Sequence, residues 1–266
     1  MKWLICLVVL IGSVFSIQMI EPMLIEISEG QIIGLGTMGP GQTVEIQLHP
    51  KVYEGGIHGI GGNYDQAYAY SLPPGWDTQP SKIYGNPLQV KITSAPDTEE
   101  GLYTVPVMVE DEGNGEKLGN ITFYLRIRIS EDVMDFDVLP SNVDAGIGQP
   151  ARFELIINNT GNAGDTFKVS AEGVSKWEFS KLMYIPPRSS KTVTYEVAGF
   201  EEETYLTDIT VESSSSSRVS KTKSISLKVH PDLLSDYKAV NNGALLFPII
   251  EAPLYALAAL ISNLWQ

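Results

Sequence analysis

The side chains able to do chemistry are few, and their spacing forms no catalytic set. The chain has three histidines, His49, His58 and His230. No two stand at the HxH or HExxH spacing that brings a pair of imidazole nitrogens onto one metal. The single cysteine, Cys6, lies in the first apolar run and lacks the small residues that precede a lipidated cysteine. A chain that loses that run has no disulfide, thiolate metal site or cysteine nucleophile. There is no GxSxG elbow and no Walker loop. GLGTMG at Gly34–Gly39 spaces its glycines wrongly for a dinucleotide fingerprint, and no helix follows it to receive a pyrophosphate.

Carboxylates cluster at 97–100, 110–112, 131–137 and 201–203. Adjacent acids on turns do not specify the pair across a cleft that glycoside hydrolysis requires. The expectation is therefore no enzyme and no cofactor. Asp132, Asp135 and Asp137 offer hard oxygens in one short stretch, a candidate calcium site, with a solvated acidic surface as the alternative. His58, Tyr64, Tyr68, Tyr70 and Trp76 are the candidate ligand contacts, since exposed aromatics beside a glycine-rich loop suit a carbohydrate or surface polymer. Asn120 and Asn158 begin Asn-x-Thr triplets, possible glycan sites in an exported chain.

These residues must be positioned by strands. Val44, Ile46 and Leu48 alternate with polar residues, as do Leu88, Val90 and Ile92, then Tyr103 to Val109, then Ile121 to Ile129. That period of two marks half-buried strands, and Gly113-Asn114-Gly115 reads as a hairpin turn between the last pair. Pro106 assigns its strand to an edge or a bulge. The same grammar returns at Phe153 to Ile157, Phe167 to Val169, Val193 to Val197 and Ile225 to Val229.

The two halves also match each other. EEGLYTVPVMVE at 99–110 and EEETYLTDITVE at 201–212 align at an offset of 102, and Trp76 aligns with Trp177. A repeat of about 100 residues is too long for a solenoid unit and suits a β-sandwich. The duplicated tryptophans read as core. Tyr103 and Tyr205 read as strand-head residues whose rings pack while their hydroxyls reach backbone. The expected fold is all-β, with tandem Ig-like sandwiches at 17–131 and 132–231. A glycine-dense insertion at 53–66 without counterpart is the place for any function peculiar to the first. The acidic stretch 130–138 reads as a restricted hinge.

The ends differ from the body. Residues 1–16 have the grammar of a secretory signal peptide with cleavage after Ser16; an uncleaved anchor is the alternative. After a linker at 232–242, residues 243–265 are apolar except for Glu251, Ser262 and Asn263. As one helix they would extend about 34 Å, enough to cross a bilayer core. Pro253 and Glu251 argue against an uninterrupted span, so a helix docked on a partner, lying at the interface or packed on the sandwich remains an alternative. The net charge of −14 repels phosphate backbones, which excludes nucleic acid as a partner.

Residues 148–229 carry the most specific pattern: GQPARFELIINNTGNAGDTFKVSAEG, then W-x-F, IPPRSSKTVTYEV and EEETYLTDITVES. They resemble the alpha-galactosidase-associated (NEW3) and CARDB-type Ig-like modules of archaeal and bacterial surface proteins. The first half resembles them through GPGQTVEIQL, LPPGW and NPLQVKITSAPDTEEGLYTVPVMV. The resemblance implies an extracellular sandwich used as an adhesive, spacer or presenting module, and brings no catalytic residues. The expected function is a non-enzymatic, membrane-tethered surface protein with partners in the envelope. The alternatives are a polymer-binding module and an accessory subunit of a membrane complex.

Overall fold

The structure, a computed structural model, describes residues 16–113 and 115–231. The expected signal peptide 1–16, apart from Ser16, the expected linker 232–242 and the apolar stretch 243–265 lie outside the described residues. Among the described residues there is no helix, and so none long and apolar enough to cross a membrane.

The first sandwich opens with β1 (Ser16–Glu21), β2 (Ile25–Ser28), β3 (Ile32–Met38) and β4 (Thr43–His49). A short hairpin, β5 (Lys51–Val52) and β6 (Gly62–Asn63), leads to β7 (Gln66–Ala69), β8 (Asp77–Gln79) and β9 (Leu88–Thr93). The long strands β10 (Gly101–Glu110) and β11 (Ile121–Ile129) close it. One sheet has the order β2-β1-β4-β9-β8 and the facing sheet β3-β11-β10-β7, with β3 parallel to β11. The alternating residues of both sheets meet between them: Val44, Ile46 and Leu48 from one, Phe123, Leu125 and Ile127 from the other, all buried.

The second sandwich contains β12 (Met134–Leu139), β13 (Asn142–Ala145), β14 (Pro150–Asn159) and β15 (Asp165–Glu172). It continues with β16 (Phe179–Ile185), β17 (Ser189–Ala198), β18 (Thr204–Ser213) and β19 (Ser220–Val229). Its sheets run β12-β14-β17 and β13-β19-β18-β15-β16, and here β13 is the strand parallel to β19. Phe153, Leu155, Phe167, Val169 and Leu227 centre a separate core.

IQMI, directly after the expected cleavage point, is part of β1, and it buries Ile17 and Met19 completely. Each such side chain contributes about 2 kcal/mol of hydrophobic stabilisation. The stretch 130–138 is not a hinge. Its Met134, Phe136 and Val138 point inward and Asp135 and Asp137 outward as β12, which leaves only Ser130–Val133 to connect the sandwiches. The acids disguise an ordinary period of two.

Pro106 lies in a central strand, since β10 has β11 on one side and β7 on the other. The β7 ladder ends at Ala69, opposite Val107. Beyond it Tyr70 N–H donates to Pro106 O at 3.1 Å, and Ser71 turns away at φ 48°. The missing N–H of proline thus faces the point where its neighbour has left the ladder, which removes its cost. The connection from β10 to β11 is also no tight hairpin: it spans residues 111–120 and buries Leu118.

The sandwiches meet end to end in a polar joint. Asp165, at the head of β15, is buried. Its carboxylate accepts Gln42 Nε2–H from the first sandwich at 2.8 Å, Ser213 Oγ–H at 2.6 Å and Ser215 Oγ–H at 2.7 Å. Asn162 N–H donates to Thr37 O at 2.7 Å, and Ser216 Oγ–H to Pro96 O at 2.6 Å. Ala163 of the second sandwich packs into the core of the first. At Gly41, φ is 72° and a Cβ would stand 2.0 Å from Ser215 O, so no other residue fits that approach.

Candidate interaction surfaces

The directions of β4, β7, β10 and β11 gather the connections 50–65, 80–87 and 111–120 at the end of the first sandwich remote from the joint. Hydrogen bonds tie them together. Ile57 N–H donates to Glu116 O at 2.9 Å, Gly113 N–H to the buried Asp65 carboxylate at 2.5 Å, and Tyr84 N–H to Asp65 O at 2.7 Å. Gly61 N–H reaches back to Gly55 O at 3.0 Å, Gly59 N–H donates to Gly56 O, and Asn63 N–H donates to the Glu116 carboxylate. A Cβ at Gly61 would stand 2.0 Å from Val52 O at φ 83°. The glycines therefore serve close backbone packing, and the stretch expected as a loose insertion is a folded ledge.

That ledge displays apolar side chains that sequence reasoning passed over. Tyr53, Ile57 and Ile60 stand exposed on it, Ile60 at 76%, with Ile83 and Tyr84 exposed on the adjoining connection. Lys51 lies over the Tyr53 ring, 5.0 Å from its centroid. The signal was present in the sequence as two isoleucines among glycines, but their exposure is set by the absence of any described neighbour that covers the ledge.

The five expected ligand contacts do not share a surface. His58 is exposed on the ledge. Tyr64 is 1% exposed in the core, where burial, aided by the Asp111 and Glu29 carboxylates, pushes its hydroxyl up to about 12. Trp76 is a core residue 8% exposed, packed near the joint end, with its ring centroid 5.3 Å from that of Tyr103. Tyr68 and Tyr70 alone meet each other, edge to face at 6.4 Å on the outer side of β7, and Tyr68 O–H donates to Glu110 Oε2 at 3.1 Å. No aromatic platform for a sugar ring arises from this set.

The duplicated tryptophan and tyrosine behave as their repetition implied. Tyr103 O–H donates to Glu99 O at 3.0 Å. In the second sandwich Tyr205 Oη accepts Glu201 N–H at 3.0 Å, and its ring lies 5.0 Å from Trp177. Trp177 is held further: its Nε1–H donates to Ala198 O at 3.1 Å, and its carbonyl accepts Tyr195 O–H at 2.6 Å.

The expected calcium ligands are instead ion-paired to lysine. Lys221 Nζ lies 3.0 Å from both Asp132 and Asp135, and Lys223 Nζ lies 2.6 Å from Asp137. The hydrogen bond from Lys223 holds the Asp137 carboxyl below its usual range. Burial disfavours the charge on Lys221, but its hydrogen bonds to Asp132 and Asp135 outweigh that and raise its pKa. The ammonium groups supply the charge expected from calcium, and among the described residues no group of three or more acids, histidines or cysteines is placed for a metal. The two sequons also separate. Asn120 is exposed just before β11, whereas Asn158 is half-buried in the middle strand of its sheet, between Asp135 and Ser190. The exposed Asn120 is thus the more accessible of the two.

Two facing sheets, a parallel pairing of an early strand with the last one and end-to-end docking define the class: a tandem of Ig-like β-sandwiches. No protein-family model matches the chain, and no curated protein matches it in sequence. Among solved structures, it is similar to a CARDB domain from Pyrococcus furiosus, crystallised with di-metal ions, over 37% of this chain and 90% of that one, at 16% identity and TM-score 0.29. A chimeric titin Z1Z2 tandem matches over 83% of this chain and all of its own, at 12% identity and TM-score 0.36. Fibronectin(III)-like modules of Clostridium thermocellum CbhA match over 81% and 94%, at 12% identity and TM-score 0.28. At these scores the strand order, not the likeness, carries the assignment.

Proposed function

We propose that this chain is a non-enzymatic surface protein, exported by its leader and tethered at the membrane through residues 243–265. Its two Ig-like modules, of the NEW3 and CARDB kind, act as a stiff arm that holds an interaction surface away from the tether. The joint is the observation that supports this reading. A chain of independent modules needs only a linker, whereas here a buried carboxylate, an inserted alanine and a four-residue connection lock one sandwich to the next. The ledge and the chain exit at His230 lie at opposite ends of the pair, as an arm requires. The exposed Ile57, Ile60 and Tyr53 favour a second reading within the same frame, an accessory subunit of a membrane assembly, since apolar patches on a rigid backbone mark contacts with other proteins.

Alkaline carbonate extraction of membranes tests the tether, with the full chain compared against a version stopped after Pro231. The reading expects the full chain in the pellet and the truncated one in the supernatant. Release of both would sink the spanning tether and leave the accessory-subunit reading.

A further inference from the structure

The lower end of the second sandwich is built like the lower end of the first, which is covered, yet no other described part of the chain covers it. In the first, Gly41 has φ 72°, its N–H donates to Ala95 O at 3.0 Å, and Gln42 N–H donates to Gly39 O at 3.3 Å. In the second, Gly148 has φ 72°, its N–H donates to Gly199 O at 2.8 Å, and Gln149 N–H donates to Gly146 O at 3.0 Å. The chain leaves both ends through the same bond: Ser130 N–H to Met38 O at 3.1 Å, and His230 N–H to Ala145 O at 3.2 Å. Pro40 of the first turn is buried, and the glycine after it rests on the second sandwich. Its counterpart Ile147 is 42% exposed, and Phe200, which follows Gly199 as Pro96 follows Ala95, is 71% exposed.

Beside this turn a groove of about 700 Å³ opens between the connections 173–177 and 199–206. The paired rings of Trp177 and Tyr205 form its inner wall. Phe200 and Leu206, both exposed, form its apolar rim. Glu201 and Glu203 line the same connection and are exposed. Lys176 stands among the lining residues as a single cation, and Glu196 is paired with Arg152 at 3.3 Å.

We propose that this groove docks a partner polypeptide that carries aliphatic or aromatic side chains next to lysine or arginine. The proposal rests on the interaction-module reading and is independent of the tether. Two observations select the partner. The homologous turn is a docking element in the first sandwich, where another protein surface covers it. The carboxylates beside the apolar rim favour cations and repel phosphate-bearing surfaces, so a basic polypeptide fits and an anionic bilayer does not.

The test uses the full chain in phosphatidylcholine nanodiscs, with empty discs as the blank, and fluorescence anisotropy of two labelled 12-residue peptides. Both have the same leucine content; one carries lysine at its other positions and one glutamate. The proposal expects the lysine peptide to bind. It expects Phe200→Ser and the double change Glu201→Lys with Glu203→Lys each to weaken binding about tenfold, and Phe200→Leu to retain it. Ile60→Ser, at the opposite end, should leave binding unchanged. Phe200, Glu201 and Glu203 are exposed, so near-ultraviolet circular dichroism should match the parent and exclude misfolding. Equal binding of the glutamate peptide, no binding of either, or indifference to Phe200→Ser would overturn the proposal. So would loss of the signal when free phosphatidylcholine vesicles compete, which would make the surface a lipid contact.

Discussion

Apart from β2 and the β5–β6 hairpin, which have no counterpart among the described residues of the second sandwich, the two sandwiches share a strand order and differ in one crossing. In the first, the chain after Trp76 forms the three-residue β8 and pairs with β9, in the sheet of β1 and β4. In the second, the chain after Trp177 forms the seven-residue β16 and pairs with β15, in the opposite sheet. The reason lies in the preceding strand. β15 offers a ladder from Asp165 to Ala171, whereas β7 has only four residues and gives way to Ser71 at φ 48° and then Pro73-Pro74. Prolines cannot extend a ladder, so the chain crosses to the other sheet. The tryptophan–tyrosine contact survives the change, because it is made at the end where the two sheets close.

The upper ends teach more. Asp65 and Asp165 occupy the same place at the head of their strands, and both are buried. Asp65 is covered by loops of its own sandwich, including Gly113 and Tyr84. Asp165 is covered by the neighbouring sandwich through Gln42. The ledge of the first sandwich therefore does for its end what the first sandwich does for the second.

The largest effect should come from breaking the shared carboxylate. Asp165→Ala leaves Gln42, Ser213 and Ser215 with donors unmatched in a buried site, at a cost of about 3 kcal/mol. Differential scanning calorimetry should resolve two transitions where the parent shows coupled unfolding; a single, barely shifted transition would show that the joint does not couple the domains. A smaller effect isolates contact from conformation. Gly41→Ala and Gly148→Ala meet the same φ of 72° and the same strain of about 1 kcal/mol. Only at Gly41 does the new methyl strike the other sandwich, whereas at Gly148 the nearest atom is a Phe200 ring carbon at 3.8 Å. Small-angle scattering should show a changed interdomain geometry for Gly41→Ala alone, and equal profiles would break the comparison.

The finest distinction concerns the tryptophans. Trp177 donates its indole N–H to Ala198 O, whereas the buried Trp76 Nε1 has no hydrogen-bond partner among the described residues. Trp177→Phe should then cost about 1 kcal/mol more than Trp76→Phe in urea unfolding. The reverse order would assign the indole bond no role.

Much of this was legible in the residues. The period of two located β4, β9, β10, β11 and β14, and the offsets of 101 and 102 identified Trp177 and Tyr205 as counterparts of Trp76 and Tyr103. Reading failed where charge or proline masked the period, as in β12 and at Pro106, and where a role depended on distant neighbours. Tyr64 looks like a binding aromatic beside a glycine loop, yet it is enclosed by strands far from it in sequence.

Local chemistry along the chain thus determined the strands and the duplicated sandwich, because alternation and turn residues act over a few positions. Only the tertiary structure decided which acids meet lysines, which carboxylate joins the two sandwiches, and that among the described residues Ile60 and Phe200 are exposed at opposite ends. Those outcomes depend on pairings across 86 to 125 residues, for which exposure and partner identity are properties of the assembled surfaces and not of any single segment.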